Sequence, residues 1–397
     1  MNKSRNRQMP ERFRRLWTDD LFYFLSYGLF LVTSLLSTSF YYRYFMGYPY
    51  MALQIVCVVL LVAHEFKNGI RDQHWIGLAV MAGMAVIALW ISNGNLLRLV
   101  PLMFLYTYCA RKIPFAKIAR FSLNISVAVV CIVVFSGYLG IIDNVVVAKG
   151  SRIREYLGFR YALFLPGILL NMTGLWIYLR KDKTPIVGTM IWAVVNFLVY
   201  YKTDSRISFA LAEGLLLAAM VIRFLPKLVE KVQWLWAAMT ASFGLFGVAS
   251  VIMTAVYDST IHWMRRLNSM LESRLSLGKH SLETRGVGFF GQHVTWIGNG
   301  LDAFGNSSDK VYTYVDCLYV KILQRYGILF TVSLLALLTW AMYRLWKKKE
   351  YHILLISAAV AVHCVLDDLS FALHYNTFWI AMGVALLCPA MLDSKTE

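Results

Sequence analysis

The sequence predicts an all-α, polytopic membrane protein, and three observations carry that prediction. The 397 residues are 59% hydrophobic and only 15% charged, where a soluble domain carries about 25% charged residues. Apolar runs long enough to cross ~30 Å of hydrocarbon recur from end to end. Most of the 39 Lys and Arg behind the formal net charge of +17 fall in short loops between those runs, where charge sets topology. The chain is expected to be one integral membrane domain over 1–397, with about 12 transmembrane helices.

The N-terminal segment 1–20 is polar and Arg-rich, and the run from Leu21 to Phe40 has no small-x-small cleavage pattern. It is expected to be a retained first span behind a basic cytoplasmic tail. Further spans are expected at Tyr48–Ala63, Trp75–Ile91, Leu96–Cys109, Phe121–Leu139, Arg160–Tyr178, Pro185–Tyr200, Ile207–Ile222, Trp234–Val256, Ile328–Tyr343, His352–Leu366 and Tyr375–Met391. With the N-terminus inside, every second loop is basic: Lys67 and Arg71; Arg111 to Arg120; Arg180 to Lys183; Arg223 to Lys231; Arg344 to Lys349. Both termini are then cytoplasmic. No basic-aromatic stripe suggests nucleic acid. The six cysteines show neither metal spacing nor a disulfide framework. No internal repeat or matched pair of broken spans points to a repeat-built transporter.

The remaining basic residues gather on the other side, in the loop containing Arg152, Arg154 and Arg160, in the Lys202-Thr203-Asp204-Ser205-Arg206 turn, and in one long polar segment. That segment, 258–312, is expected to be a large extracellular loop. Arg160 and Arg206 sit at the mouths of apolar runs, where a guanidinium suits phosphate or carboxylate. Glu213 lies two turns along from Arg206 inside an apolar run, so it needs a partner or a wet cavity. Ile261, Met264, Leu267, Leu271 and Leu275 recur at helical spacing, which predicts one amphipathic helix with Arg274 at its flank. With glycines recurring from Gly278 to Gly305, this section cannot be one regular element. Its backbone can approach a phosphate closely. From Tyr312 to Tyr343 the pattern is helical, too long for one straight span, and Gly327 is the expected break. Asp316 near its start is either a helix N-terminal acid or an active-site carboxylate. Asp367, Asp368 and His374 are joined by a short loop and must lie together.

The motifs resemble those of a known family. Thr203-Asp204-Ser205-Arg206-x-Ser208 precedes one span; Leu271-x-Ser273-Arg274-Leu275 and Phe290-Gly291-Gln292 lie in the large loop. Val315-Asp316-x-x-Tyr319-x-x-x-Leu323-x-x-Tyr326-Gly327 heads the next span. From about Arg154 onward the chain is similar to the Wzy-type polysaccharide polymerases of Gram-positive capsule and exopolysaccharide systems, relatives of the O-antigen ligases. It departs from their pattern at Arg160-Tyr161-Ala162, where His-Pro-Asn is usual, and at Asp316-Cys317, where Asp-Asn is usual.

The resemblance implies a C-type glycosyltransferase architecture, O-antigen ligase-like, and a metal-independent polymerase without cofactor. Its substrates would be undecaprenyl-pyrophosphate-linked oligosaccharide repeat units and the growing polysaccharide, joined at the outer face of the plasma membrane. A flippase and a chain-length regulator are the implied partner proteins. Pyrophosphate binding is implied for Arg206 and Arg274, with Arg160 and Arg285 as further candidates. An acceptor hydroxyl needs a base within hydrogen-bond reach, and the candidates are Asp316, His374 and Glu283. Asp204, Ser205, Glu213, Gln292 and Tyr319 are expected to line the cavity. The alternatives are a lipid-linked glycan ligase and a polysaccharide or lipid flippase or transporter.

Overall fold

The computed structural model describes residues 20–68, 74–91, 99–149 and 152–392. The basic segment 1–19, Arg71 and the start of the fourth apolar run lie outside the described residues. Every apolar run becomes helix, because only a helix satisfies all of a backbone's polar groups within one segment. In chain order the helices are α1 Leu21–Ser37, α2 Tyr48–Asn68, α3 Trp75–Ile91, α4 Leu99–Cys109 and α5 Phe115–Tyr138. A hairpin of β1 Val146–Lys149 and β2 Arg152–Glu155 follows, then α6 Phe164–Arg180, α7 Ile186–Thr203 and α8 Arg206–Phe224. Next come α9 Pro226–Lys231, α10 Gln233–Met239, α11 Ser242–Ala255, α12 His262–Met270 and α13 Arg274–Arg285. The chain closes with α14 Leu318–Lys347, α15 Tyr351–Leu366 and α16 Phe378–Leu387.

Among the described residues, five helices are individually long and apolar enough to cross a membrane: α2, α5, α7, α8 and α14. A sixth span is made if α10 and α11 count as one, bent by 53°. The helices α1, α3, α15 and α16 are apolar but shorter. Outward faces carry exposed Ile, Val, Leu and Phe, as on α2 (Ile55, Val59) and α7 (Val187, Phe197). This is the arrangement of a protein whose surroundings are apolar. The core lies where α14, α15 and α16 meet α4, α6 and α11; Tyr319, Phe330, Leu345, Ile353 and Ile380 are almost wholly buried there.

Two expectations are corrected. The amphipathic helix over Ile261–Leu275 is broken: Leu271–Ser273 turns away, with Glu272 and Ser273 at φ 52° and 66°, so Arg274 opens a separate helix. The helix expected from Tyr312 starts only at Leu318, so Asp316 lies in an extended segment two residues ahead of it and is not a first-turn acid. The break at Gly327 is as expected, with φ 88°. A side chain there would collide with the Gly291 backbone. The backbone groups around the break are paired by the Gly-rich loop: Ile328 N donates to Gly288 O (3.2 Å), Leu329 N to Phe289 O (3.1 Å), and Gln292 N to Arg325 O (3.0 Å). Part of the glycine run therefore serves helix packing, because these close approaches leave no room for a Cβ.

Candidate active site

The functional geometry lies at the end of the bundle that carries the long loop. Here the C-terminal ends of α1 and α15 converge with the starts of α6, α8, α13 and α14. Arg160, just before α6, reaches into this junction. Its guanidinium donates to Ser37 O at the end of α1 and to Leu301 O in the loop (3.2 Å), and it stacks 5.0 Å from the Tyr42 ring. It is therefore a strut between helix and loop, and burial lowers its pKa. Its Nε nevertheless has no partner.

Two cavities share this end. The larger, of about 810 Å³, is lined by Met51, Val100, Leu318, Ile322, Tyr326 and Phe371, with Arg160, Lys321, Arg325, His374 and Asp368 among its polar groups. The smaller, of about 290 Å³, is lined by Tyr161, Tyr312, Asp316, Asp367 and the backbone at Gly298–Gly300. Arg160, Phe164, Tyr314, Asp368 and Leu369 belong to both and form the partition.

Three carboxylates meet at the smaller pocket because two chain segments end there. Asp316 comes from the extended segment before α14, and Asp367 and Asp368 from the turn after α15. Tyr312 Oη donates to Asp316 Oδ2 (3.1 Å), and Arg274 Nε lies 4.0 Å from the same oxygen. Burial raises the Asp316 pKa, and the Arg274 charge pulls it back. Asp368 accepts from Tyr314 Oη (2.9 Å) and from Lys321 Nζ, while Lys321 sits 3.7 Å over the Tyr314 ring. Asp367 accepts from Leu369 N (2.9 Å). Burial first, and then the neighbouring Asp368 charge, push its carboxyl up to about 8. The pocket therefore holds one carboxyl, Asp367, that keeps its proton at neutral pH, beside Asp316, whose rise on burial the Arg274 charge opposes; such unlike environments let one site run acid and base chemistry.

That proton makes a measurable linkage. An unfolded Asp titrates near 4, so between about pH 4 and 8 the folded chain holds a proton on Asp367 that the unfolded chain releases. The cost of ionising Asp367 is absent below about pH 4, grows as pH rises and is complete above about pH 8. Thermal unfolding of the purified protein followed from pH 5 to 9 is expected to show stability falling with pH. Asp367→Asn, which keeps the bond from Leu369 N, should flatten that slope. Equal slopes in both proteins would refute the assignment.

The other expected site residues fall in three groups. Arg206 and Arg274 do meet, with Asp204 and Ser205, in a recess of about 40 Å³ that also contains Arg154, Glu272, His363 and Asp367. That recess has room for little more than water, and its arginines already have acidic partners. Arg206 Nε is 3.2 Å from Asp204 Oδ1 and its side chain is 60% exposed; Arg152 bridges Asp204 and Glu272. Arg274 is 10% exposed and donates to Leu366 O and to Leu271 O (3.1 Å). Arg274 therefore braces the carboxylate pocket from behind, and neither arginine lines the large cavity. His374 lines that cavity, but burial holds its pKa down to about 3, so its ring is neutral.

Glu283 points away, 62% exposed, and pairs with Lys279 one turn back. Arg285 lies over the Trp296 ring at 5.7 Å and lines neither cavity. Gln292 donates to Arg285 O and Gly286 O, which is a loop brace. Tyr319 is buried with its hydroxyl on Ala361 O. Glu213 is half-buried in α8 and lines neither cavity. The cavity-lining roles expected for Glu213, Gln292 and Tyr319 are not what the structure gives them.

Lys321 and Arg325 were missed, although the four-residue spacing between them puts two cations on one face of α14. Tyr312 and Tyr314, which bond the carboxylates, carried no signal. Comparison with protein families, curated proteins and solved structures finds no match for this chain.

Proposed function

We propose that this chain is a membrane-bound polysaccharide polymerase of the Wzy type, with the C-type glycosyltransferase architecture and about twelve spans. It joins undecaprenyl-pyrophosphate-linked repeat units at the extracellular face, and both termini are cytoplasmic. The observation that carries this reading is the pairing of a carboxylate pocket with a large, apolar, cation-bearing cavity across one partition. A sugar hydroxyl in the smaller pocket meets a carboxylate base. A diphosphate leaving group on an apolar chain suits the larger one. In the reaction Asp316 takes the proton of the acceptor hydroxyl. The hydroxyl oxygen bonds to the anomeric carbon of the donor glycan, and the bond from that carbon to the diphosphate oxygen breaks. The departing charge is met by the fixed cations of the cavity wall.

The basic loops support the orientation. Arg111 with Glu65, Lys181 with Glu350, and Arg344 with Leu386 O all lie at the opposite end of the bundle from the cavities. A cavity at one end, not at mid-depth, also fits a transferase better than a transporter.

The test is deletion of the gene in its native strain, with sizing of surface polysaccharide and of its lipid-linked precursors. Single repeat units and loss of long chains are expected; persistence of full-length polymer would end the proposal. For orientation, Ser307→Cys, on the exposed part of the loop, should react with an impermeant thiol reagent in intact cells. Labelling only after lysis would invert the topology.

A further inference from the structure

Lys321 and Arg325 stand one helical turn apart near the start of α14, and both line the larger cavity, with Arg160 on its wall. Lys321 is engaged by Asp368. Arg325 has no carboxylate partner among the described residues; its guanidinium lies 5.7 Å over the Trp296 ring. In the same wall His374 is 2% exposed, and its Nδ1 has no hydrogen-bond partner among the described residues. The cavity thus presents a cation with no carboxylate partner and a buried imidazole nitrogen, in a wall whose one carboxylate, Asp368, is already taken by Lys321 and Tyr314. A buried polar atom is usually satisfied by protein, water or a ligand, and the cavity leaves space at this one for a ligand.

The remaining lining shows how that ligand arrives. Tyr48 and Met51, at the start of α2, line the cavity and are also 83% and 41% exposed on the outside. The face of α2 beyond them continues apolar and exposed through Ile55, Val59 and Val62. The cavity is therefore continuous with the apolar outer surface of the bundle. A ligand whose anionic head sits at Arg325 can leave a hydrocarbon chain running out along α2.

We infer that Lys321 and Arg325, and not Arg206 and Arg274, hold the phosphate or diphosphate head of an amphiphile whose chain leaves the cavity past Tyr48 and Met51. The inference rests on the polymerase reading for its choice of substrate, but it is tested by binding alone. A protein that binds the amphiphile and makes no polymer would keep it and sink the polymerase.

The experiment is titration of the purified full-length protein in detergent micelles with geranylgeranyl diphosphate, geranylgeraniol and inorganic pyrophosphate, followed by calorimetry. The diphosphate ester is expected to bind at least about tenfold tighter than either fragment, since it uses both the cations and the apolar path. Arg325→Gln should weaken the ester by about tenfold or more, and Arg325→Lys should recover most of that loss. Should Arg325→Gln not fold, Lys321→Met carries the same expectation. Met51→Asp should weaken the ester and leave inorganic pyrophosphate unchanged, and Arg206→Gln should change neither. Unchanged ester binding in the folded Arg325 or Lys321 variant would overturn the head assignment. Inorganic pyrophosphate binding as tightly as the ester would mean a soluble anion site, and would overturn the lipid path.

Discussion

Asp316→Asn is expected to leave the protein folded and in the membrane while cutting chain extension by about 10²–10⁴-fold, the usual contribution of a positioned general base. The substitution is nearly isosteric. Its amide oxygen still accepts from Tyr312 Oη, but it cannot take a proton from an acceptor hydroxyl. Arg274 keeps its bonds to Leu366 O and Leu271 O and its contact with Glu272 (3.6 Å), so no buried cation is stranded. The measurement is polymer length in a deletion strain complemented with the variant, alongside immunoblotting of the membrane fraction. Glu283→Gln, on an exposed side chain outside both cavities, should extend chains normally. Full-length polymer from Asp316→Asn would remove Asp316 from the mechanism. A collapse with Glu283→Gln would return the base to the loop helix.

The helices were legible because hydrophobic runs and their basic punctuation are local properties, written in consecutive residues. Gly327 was legible for the same reason: a glycine in the middle of an over-long helical pattern has few other uses. The break at Leu271–Ser273 was hidden, since the apolar spacing runs straight through it and only a left-handed turn at Glu272 and Ser273 interrupts the helix. The site was legible in its acids. Asp316, Asp367 and Asp368 stand at the ends of apolar runs, where a charge has to be explained. Its cations were misread for a physical reason. An arginine flanked by motif residues looks available to a ligand, but whether it is free depends on carbonyls and acids brought in by distant segments. Leu366 O is 92 positions from Arg274, and Arg152 bridges two acids 68 positions apart. Lys321 and Arg325 are hard to single out in the sequence because they flank a helical apolar stripe, Tyr319, Ile322 and Tyr326, that leads into a span. Only the fold reveals that the stripe borders a cavity.

Arg274→Ala is expected to be the most damaging single change in the molecule, and to damage it in two separable ways. The guanidinium joins the first residue of α13 to the last carbonyl turn of α15, where a cation also offsets the negative end of the helix dipole. It is also the cation nearest the buried Asp316 carboxylate among the described residues. Removing it strips the donor from Leu366 O and leaves three neighbouring carboxyl groups with Lys321 as the adjacent counter-charge. Losing such a charged, buried partner costs about 3–5 kcal/mol, so the thermal transition of the purified protein should fall clearly. Without Arg274 the Asp316 carboxyl loses the charge that holds its pKa down. Whatever protein folds should then extend chains only as pH is raised, with the rate profile displaced to the alkaline side of wild type. Arg274→Lys should restore most of the profile and part of the stability, because it returns the charge without both hydrogen bonds. Arg206→Ala is the contrast: the side chain is mostly in solvent, so stability should change by no more than about 0.5 kcal/mol and the pH profile should not move. A pH profile unmoved in Arg274→Ala would show that the arginine acts on architecture alone. Equal losses at Arg206 and Arg274 would instead restore both arginines to direct contact with substrate.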